Sequence, residues 1–314
     1  MFKFKHHQPY IAILMCTYNG KKFINEQLKS IYNQTVSDWI LWVSDDGSKS
    51  ETIDILKSWQ NNLGKERMVI LPGPLKGFCQ NFLSLTANKD ISARFYAWAD
   101  QDDIWKPEKL HRALTILNQY PLHTQSLYCG RTELINSNGK KLSLSSPLHN
   151  KPLNFSNALV QSVASGNTMV FNQTARELIA TGYCKNPVAH DWWAYMTVSG
   201  TGGTIFYDPE PMVLYRQHDG NIIGEKKGIR SKISRVRNLL CGRFRTWNAA
   251  NVGALSLIKD KLTENNKEKL AIFSQLSYER NPVNRWRLFR DGGFYRQTTF
   301  DNLAMKAAAW AGLL

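Results

Sequence analysis

Residues 39–48 read WILWVSDDGS, five apolar strand formers that stop at two aspartates and a glycine. A run this short and this continuously apolar predicts a strand buried on both faces, because a half-exposed strand would alternate. The same pattern recurs on either side. IAILM (11–15) runs into CTYNG, RMVILPG (67–73) follows, and FYAWAD (95–100) runs into QDDIW. Helical spacing separates these strands. Phe23, Ile24, Leu28 and Ile31 share one face; Ser48 and Glu51 form a capping-box pattern before a helix through Trp59; FCQNFLSLTAN follows Gly77; and Pro107 suits the first turn of KPEKLHRALTILNQ. Alternating buried strands and helices predict an α/β fold with a mostly parallel sheet covered by helices on both faces.

Beyond Tyr120 the alternation loosens. The pattern there predicts a strand with a hairpin at Asn138-Gly139, a strand at TMVF (168–171), and two strands around a Pro-rich turn in TIFYDPEPMVLYRQH (204–218).

With 43% hydrophobic and 11% aromatic residues in 314, the chain is globular rather than disordered. Its 40 Lys and Arg against 25 Asp and Glu leave a formal charge of +15, which calls for an anionic partner. Most of that excess is local, since residues 225–314 carry 18 basic and 7 acidic side chains, and KKGIRSKISRVRNLLCGRFRTW (226–247) has eight basic residues and no acid. The reading is therefore a sheet-forming domain over 1–222 and a basic, mainly helical region over 223–314. The five scattered cysteines contain no C-x-x-C pair, so neither a zinc site nor a disulfide framework is suggested and a reduced compartment fits best. No run of 18 apolar residues is present and no secretion signal precedes IAILM, so the chain is expected neither to span a bilayer nor to be exported.

In open parallel sheets, ligands bind beyond the carboxyl ends of the strands, where this chain places CTYNG, SDDGS and DQDD. Asp100, Asp102 and Asp103 repel one another, and a shared pocket would require a cation. A G-x-G-x-x-G or Walker loop, the usual phosphate cradle, does not follow the first strand.

CTYNG, SDDGS and DQDDIW, followed by HDWW (190–193) and YRQH (215–218), resemble the family 2 glycosyltransferases of GT-A (Rossmann-like) fold, particularly the bacterial rhamnosyltransferase-like branch. The resemblance covers roughly residues 10–220. It implies a D-x-D motif at Asp100-Gln101-Asp102, in which Asp102 binds Mg²⁺ or Mn²⁺ and Asp100 lies toward the ribose. Hard carboxylate oxygens suit such an ion, which keeps water and phosphate ligands. The resemblance further implies that Asp45 accepts hydrogen bonds from the nucleobase, that Thr17 and Tyr18 line its pocket, and that Asn19 and Gln101 belong to the donor-binding set. Lys76, Gly77 and Asn81 would approach the donor phosphate or sugar, and His218 would be a further metal ligand. Asp191 would be the general base toward an acceptor hydroxyl, with Trp192 and Trp193 as acceptor-side faces.

Each feature also has a plainer reading. DQDD could be a helix-capping loop, Asp103 above all; Asp46 and Gly47 could form only a turn; Lys76 to Asn81 could be an ordinary helix start; and HDWW could start a helix whose aromatics fill the core. Arg216 could neutralise a diphosphate or pair with a surface acid.

The implied reaction is inverting and metal-dependent, moving L-rhamnose from dTDP-L-rhamnose to a lipid-linked glycan of an O-antigen, capsule or related polysaccharide. UDP-hexose and UDP-N-acetylhexosamine donors remain open. A metal-dependent phosphohydrolase would usually carry its nucleophilic Asp after the first strand, where Cys16-Thr17-Tyr18 stand. The basic tail, with Ile229, Ile233, Val236, Leu239, Leu240 and Phe244 among its charges, reads as an amphipathic helix on anionic lipid, a pattern that NRWRLFRDGGFYRQ (284–297) and AMKAAAWAGLL (304–314) extend. Nucleic acid is the alternative partner, but a recognition module is lacking. The expected location is cytoplasmic, peripheral on the inner face of a bacterial cell membrane.

Overall fold

The computed structural model describes residues 10–145, 148–163, 165–218 and 243–314. Strand β1 (Ile11–Thr17) and helix α1 (Ile24–Tyr32) are followed by β2 (Trp39–Asp45), α2 (Ser50–Leu63), β3 (Met68–Pro72), α3 (Phe78–Ala87), β4 (Phe95–Ala99), the two-residue β5 (Ile104–Trp105) and α4 (Lys109–Leu117). Then come β6 (Ser126–Ile135), β7 (Lys141–Leu144), α5 (Phe155–Ala158), β8 (Val170–Asn172), α6 (Gln173–Ala180), α7 (His190–Gly200) and β9 (Thr204–Arg216). Helices α8 (Arg243–Ser256), α9 (Glu264–Tyr278), α10 (Pro282–Asp291) and α11 (Thr299–Ala311) complete the described elements.

The strands form one mixed sheet in the order β3-β2-β1-β4-β8-β6-β9-β5, with β7 hydrogen-bonded to β6. Its first four strands are parallel, as the buried apolar runs require. Strand β8 then enters antiparallel to both β4 and β6, so the second half is mixed. Alternation divides β1 between two cores. Ile11, Ile13 and Met15 pack with α1, α2 and α4 on one face, while Ala12, Leu14 and Cys16 pack with α3, α6 and α7 on the other. The second core also takes in Leu255 of α8, Phe273 of α9, Phe289 of α10 and Met305 of α11, so the C-terminal helices share the apolar cluster of the sheet.

Two local expectations change, and one short strand is added. The capping box does not form, because Ser48 Oγ donates to Asp45 (2.5 Å), Glu51 pairs with Lys21 (2.8 Å), and α2 starts at Ser50 with no side-chain cap. The segment 204–216 is one continuous strand; its two prolines are accommodated where the register against β6 shifts between Gly130 and Thr132. Ile104 and Trp105, assigned to no element from the sequence, add β5 to the edge of β9 through Leu214 and Val213. The hairpin at Asn138-Gly139 forms as expected, with Gly139 at φ +78° where a side chain would be strained.

The chain boundary expected at 222 and the basic run through residue 242 lie outside the described residues. Phe244, read as part of a lipid-facing stripe, is instead buried against Trp192 (ring centroids 6.5 Å apart) and beneath the Arg296 guanidinium.

Candidate active site

The ends of β1, β2 and β4 converge on one cavity of about 660 Å³. Its walls include Thr17 and Tyr18 from the end of β1, Asp46 beyond β2, Gly77 and Asn81 at the start of α3, and Asp100, Gln101 and Asp102 beyond β4. Asp191 and His190 enter from the first turn of α7, and Ser165 and Gly166 from the segment before β8. Parallel strands end on the same side of a sheet, which is why residues far apart in sequence meet here.

Asp100 is flanked by Asp102 and Asp191, and its carboxyl is pushed up to about 8 by burial first and then by those two acids. A carboxyl so placed holds a proton at neutral pH unless a positive charge joins it. Asp102 Oδ2 lies 2.8 Å from His218 Nε2, both side chains about one-fifth exposed. His218 is held in turn against the Phe23 ring at 4.9 Å between centroids. A carboxylate oxygen and an imidazole nitrogen this close, open on one side and beside a second acid, fit a divalent ion that keeps other ligands from phosphate or water. Among the described residues, no group of three or more His, Cys, Asp or Glu forms a complete metal cage.

Asp103 does not cap the helix. It is fully buried, accepts from Asn167 Nδ2 and from the Arg216 backbone N–H (3.1 Å), and its carboxyl is raised by burial and by Asp102 and Asp100. Arg216 is unavailable to a diphosphate. Its buried guanidinium donates to the Asp102 carbonyl (3.0 Å), the Ser137 carbonyl (2.9 Å) and Glu26 (2.8 Å). Arg216 therefore fixes the backbone of the Asp102 loop.

Asp191 stands in the first turn of α7, where helix N–H groups favour an anion. Burial nevertheless pushes its carboxyl up to about 6, against hydrogen bonds from the N–H groups of Trp192 (2.7 Å), Gly166 and Asp191 itself. That places it in the range of a general base working near neutral pH. The two tryptophans beside it are core residues, contrary to the expected acceptor-side role. Trp192 Nε1 donates to the Ala158 carbonyl (2.6 Å), Trp193 Nε1 donates to the Ile179 carbonyl (3.0 Å), and both rings are buried.

Other expected contacts are redistributed. The Asp45 carboxylate accepts from Thr17 Oγ1 (2.7 Å), Ser48 N–H (2.8 Å), Ser48 Oγ (2.5 Å) and Gly47 N–H (3.2 Å), so it ties β1 to the turn. Asp46 is the acid of that pair on the cavity wall. Its carboxylate also anchors the loop before α3, accepting from the Leu75 (2.6 Å) and Gly77 (2.9 Å) N–H groups. Asn81 lines the cavity, but its amide clamps Ser44 through the hydroxyl (2.5 Å) and the carbonyl (3.0 Å). Lys76 and Asn19 are exposed and do not line the cavity. Asn19 braces the turn of Ser48 and Lys49 through its N–H and its side-chain oxygen. Gln101 holds Tyr18 at both backbone groups, accepting from its N–H (2.9 Å) and donating to its carbonyl (3.0 Å), which leaves the Tyr18 ring 59% exposed at the mouth.

His190 and Gly166 were not singled out from the sequence. The His190 ring stacks on Phe82 (4.2 Å, 15°) and meets Trp98 edge-on (4.7 Å), and burial drives its pKa down to about 3. It is a neutral aromatic plate, packed between Phe82 and Trp98, in the residue before Asp191. Gly166 lies against it with no room for a Cβ and donates its N–H to Asp191. The adjacency of His190 to Asp191 was visible in the sequence, but the contact with a glycine 24 positions away was not.

Residues 12–177 match the family model described as Glycosyl transferase family 2, more than half of the chain. The chain belongs to glycosyl transferase family 2. It is 28% identical over 232 residues to the dTDP-rhamnosyl transferase RfbG of Shigella flexneri, covering 71% of this chain and 78% of that protein. It is 29% identical over 128 residues to the UDP-Glc:alpha-D-GlcNAc-diphosphoundecaprenol beta-1,3-glucosyltransferase WfgD of Escherichia coli, covering 41% of this chain and 47% of WfgD. An uncharacterized glycosyltransferase of Rickettsia prowazekii, RP339, is 26% identical, and the match spans 65% of its length. Among solved structures, S. aureus TarS 1–349 with UDP-GlcNAc has a TM-score of 0.54 at 14% identity over 83% of this chain and 70% of that one. The mannosyltransferase PcManGT from Pyrobaculum calidifontis, with GDP-Man and Mn²⁺, has a TM-score of 0.51 at 14% identity over 97% and 86%. At these identities the structural likenesses establish the GT-A fold of this glycosyltransferase.

Proposed function

We propose that this enzyme transfers L-rhamnose from dTDP-L-rhamnose, with inversion, to a lipid-linked glycan. The observation that carries the reaction type is the convergence of Asp100, Asp102 and Asp191 on one cavity wall, with Asp191 pushed up to about 6 by burial. Tyr18 and Thr17 would neighbour the nucleobase and Asp100 the ribose, while Asp102 and His218 would hold a Mg²⁺ or Mn²⁺ beside the diphosphate. When bound, that ion supplies positive charge against the departing nucleoside diphosphate. Asp191 accepts the proton of the acceptor hydroxyl as its oxygen bonds to the anomeric carbon and the bond from that carbon to the diphosphate oxygen breaks. The sugar is inverted in one displacement, and no covalent sugar-enzyme species forms.

The match to RfbG supports the donor. The match to WfgD, whose acceptor is a diphosphoundecaprenol-linked sugar, supports a lipid-linked acceptor. A place on the cytoplasmic face of a bacterial membrane belongs to the same proposal, and the +15 charge suits an anionic surface. The test is a screen of dTDP-rhamnose, UDP-glucose, UDP-galactose and UDP-N-acetylhexosamines for manganese-dependent thermal stabilisation, followed by transfer to a lipid extract. Stabilisation and transfer with dTDP-rhamnose are the expected result. A larger shift and turnover with a UDP-sugar would replace the donor, and phosphate release without sugar transfer would overturn the reaction.

A further inference from the structure

The final helix is apolar on two opposite faces. Asp301, Met305, Ala308 and Ala309 of α11 point into the protein, as an amphipathic helix requires. Phe300, Leu303, Ala307 and Trp310 recur at intervals of three, four and three, and so form a second stripe, on the outside. Phe300 is 48%, Leu303 60% and Trp310 50% exposed, an unusual density of large apolar surface on one helix. Arg285 of α10 donates to the Trp310 carbonyl (2.7 Å), which sets the end of the stripe beside the α10 turn carrying exposed Val283 and Trp286. Residues 280–314 hold six basic side chains and two acids, of which Asp301 is buried and Asp291 pairs with Arg290.

We infer that the outer stripe of α11, with the adjoining turn of α10, is a docking surface for an anionic lipid bilayer. A helix of 13 residues is about 20 Å long, too short to cross a bilayer but suited to lying in its interface with aromatic rings at both ends. No described helix is long and apolar enough to span. The charge decides between lipid and a second copy. A two-fold contact through this face would set the arginines of α10 against themselves, whereas anionic headgroups complement them. The inference deepens the lipid-linked acceptor reading and rests on it, and it assigns the contact to α10 and α11 within the basic C-terminal region that the sequence pattern marked for lipid.

The test uses the full chain without any sugar substrate, so it is independent of which donor or acceptor is correct. Cosedimentation is measured with phosphatidylcholine vesicles with and without phosphatidylglycerol, for the wild type, Leu303→Glu and Trp310→Glu. Both positions are half or more exposed, so the variants should melt with the wild type, and nucleoside diphosphate binding should be unchanged. The wild type is expected to pellet with anionic vesicles only, and each variant to lose about tenfold or more in partitioning, as expected for a charge set into an apolar interface. A wild type that stays in solution with both vesicle types, or variants that pellet as well as it does, would overturn the assignment. So would a wild-type dimer in solution that Leu303→Glu dissociates, which would make the face a contact between copies. Failure of sugar transfer with vesicle binding intact would count against the acceptor and leave the surface standing.

Discussion

Replacing Gly166 with alanine should do more damage than a single methyl group ordinarily does. The backbone at Gly166 is not in the left-handed region, so the residue is not needed for its φ. A Cβ there would lie 3.2 and 3.3 Å from Cδ2 and Cε1 of His190, with Nε2 nearer still. The ring cannot retreat, because Phe82 stacks on it at 4.2 Å and Trp98 meets it edge-on at 4.7 Å. Overpacking of this kind costs about 1–3 kcal/mol. For a chain of this size the melting temperature should fall by up to about 2–4 °C for each kcal/mol. If the protein yields instead by lifting the Gly166 segment, Asp191 loses one of its N–H donors and its position, and kcat should fall about 10- to 100-fold. Calorimetry and initial rates on Gly166→Ala, His190→Ala and the double variant measure the coupling. Removing the ring makes room for the methyl, so the double variant should be more stable than the sum of the single effects by about 1 kcal/mol or more. Gly253→Ala is the control. It lies within α8 with open space around its Cβ position, and should stabilise by about 0.5–1 kcal/mol. Wild-type melting of Gly166→Ala, or single effects that simply add, would refute the reasoning.

Asp102→Ala should abolish the thermal shift produced by Mn²⁺ with dTDP or UDP, and His218→Ala should reduce it; equal shifts in wild type and Asp102→Ala would reject that pair as the cation site. The log of kcat plotted against pH should fall with unit slope below about pH 6, because protonation removes the base form of Asp191. Asp191→Asn should lower kcat about 10²- to 10⁴-fold at unchanged donor affinity, and a pH limb surviving in that variant would show that another group titrates. Arg216→Met should destabilise by about 3 kcal/mol, since it deletes three hydrogen bonds from a buried cation, while Glu26→Gln should change stability by less than about 1 kcal/mol because that carboxylate is half exposed. Chemical denaturation of the two variants checks the asymmetry.

The parallel half of the fold was legible because burial on both faces leaves a continuous apolar run, and the polar residues at its carboxyl end have one place to go. For the same reason, the convergence of Thr17, Tyr18, Asp100 and Asp102 could be read from strand ends alone. What stayed hidden depends on partners distant in sequence. Asp45 and Asp46 are chemically identical neighbours, and only the folded turn assigns one to the strand linkage and the other to the cavity wall. Trp192 and Trp193 look as suited to stacking on a sugar as to filling a core, and the carbonyls of Ala158 and Ile179 decide it. The sequence of strand β9 reads as two strands because proline usually interrupts a ladder, and the register shift between Gly130 and Thr132 removes that conflict.

The packing of Trp192 has a consequence for engineering. Its ring meets Phe244 and, edge-on, Trp247 of α8, so the helix that carries Asp191, the proposed base, rests on residues contributed by the last quarter of the chain. Chimaeras that graft another transferase's tail onto this one to change the acceptor would swap that support as well. Unless the grafted tail brings matching aromatics, a change in acceptor preference would arrive together with a displaced base, and the two effects would be inseparable in a single activity measurement.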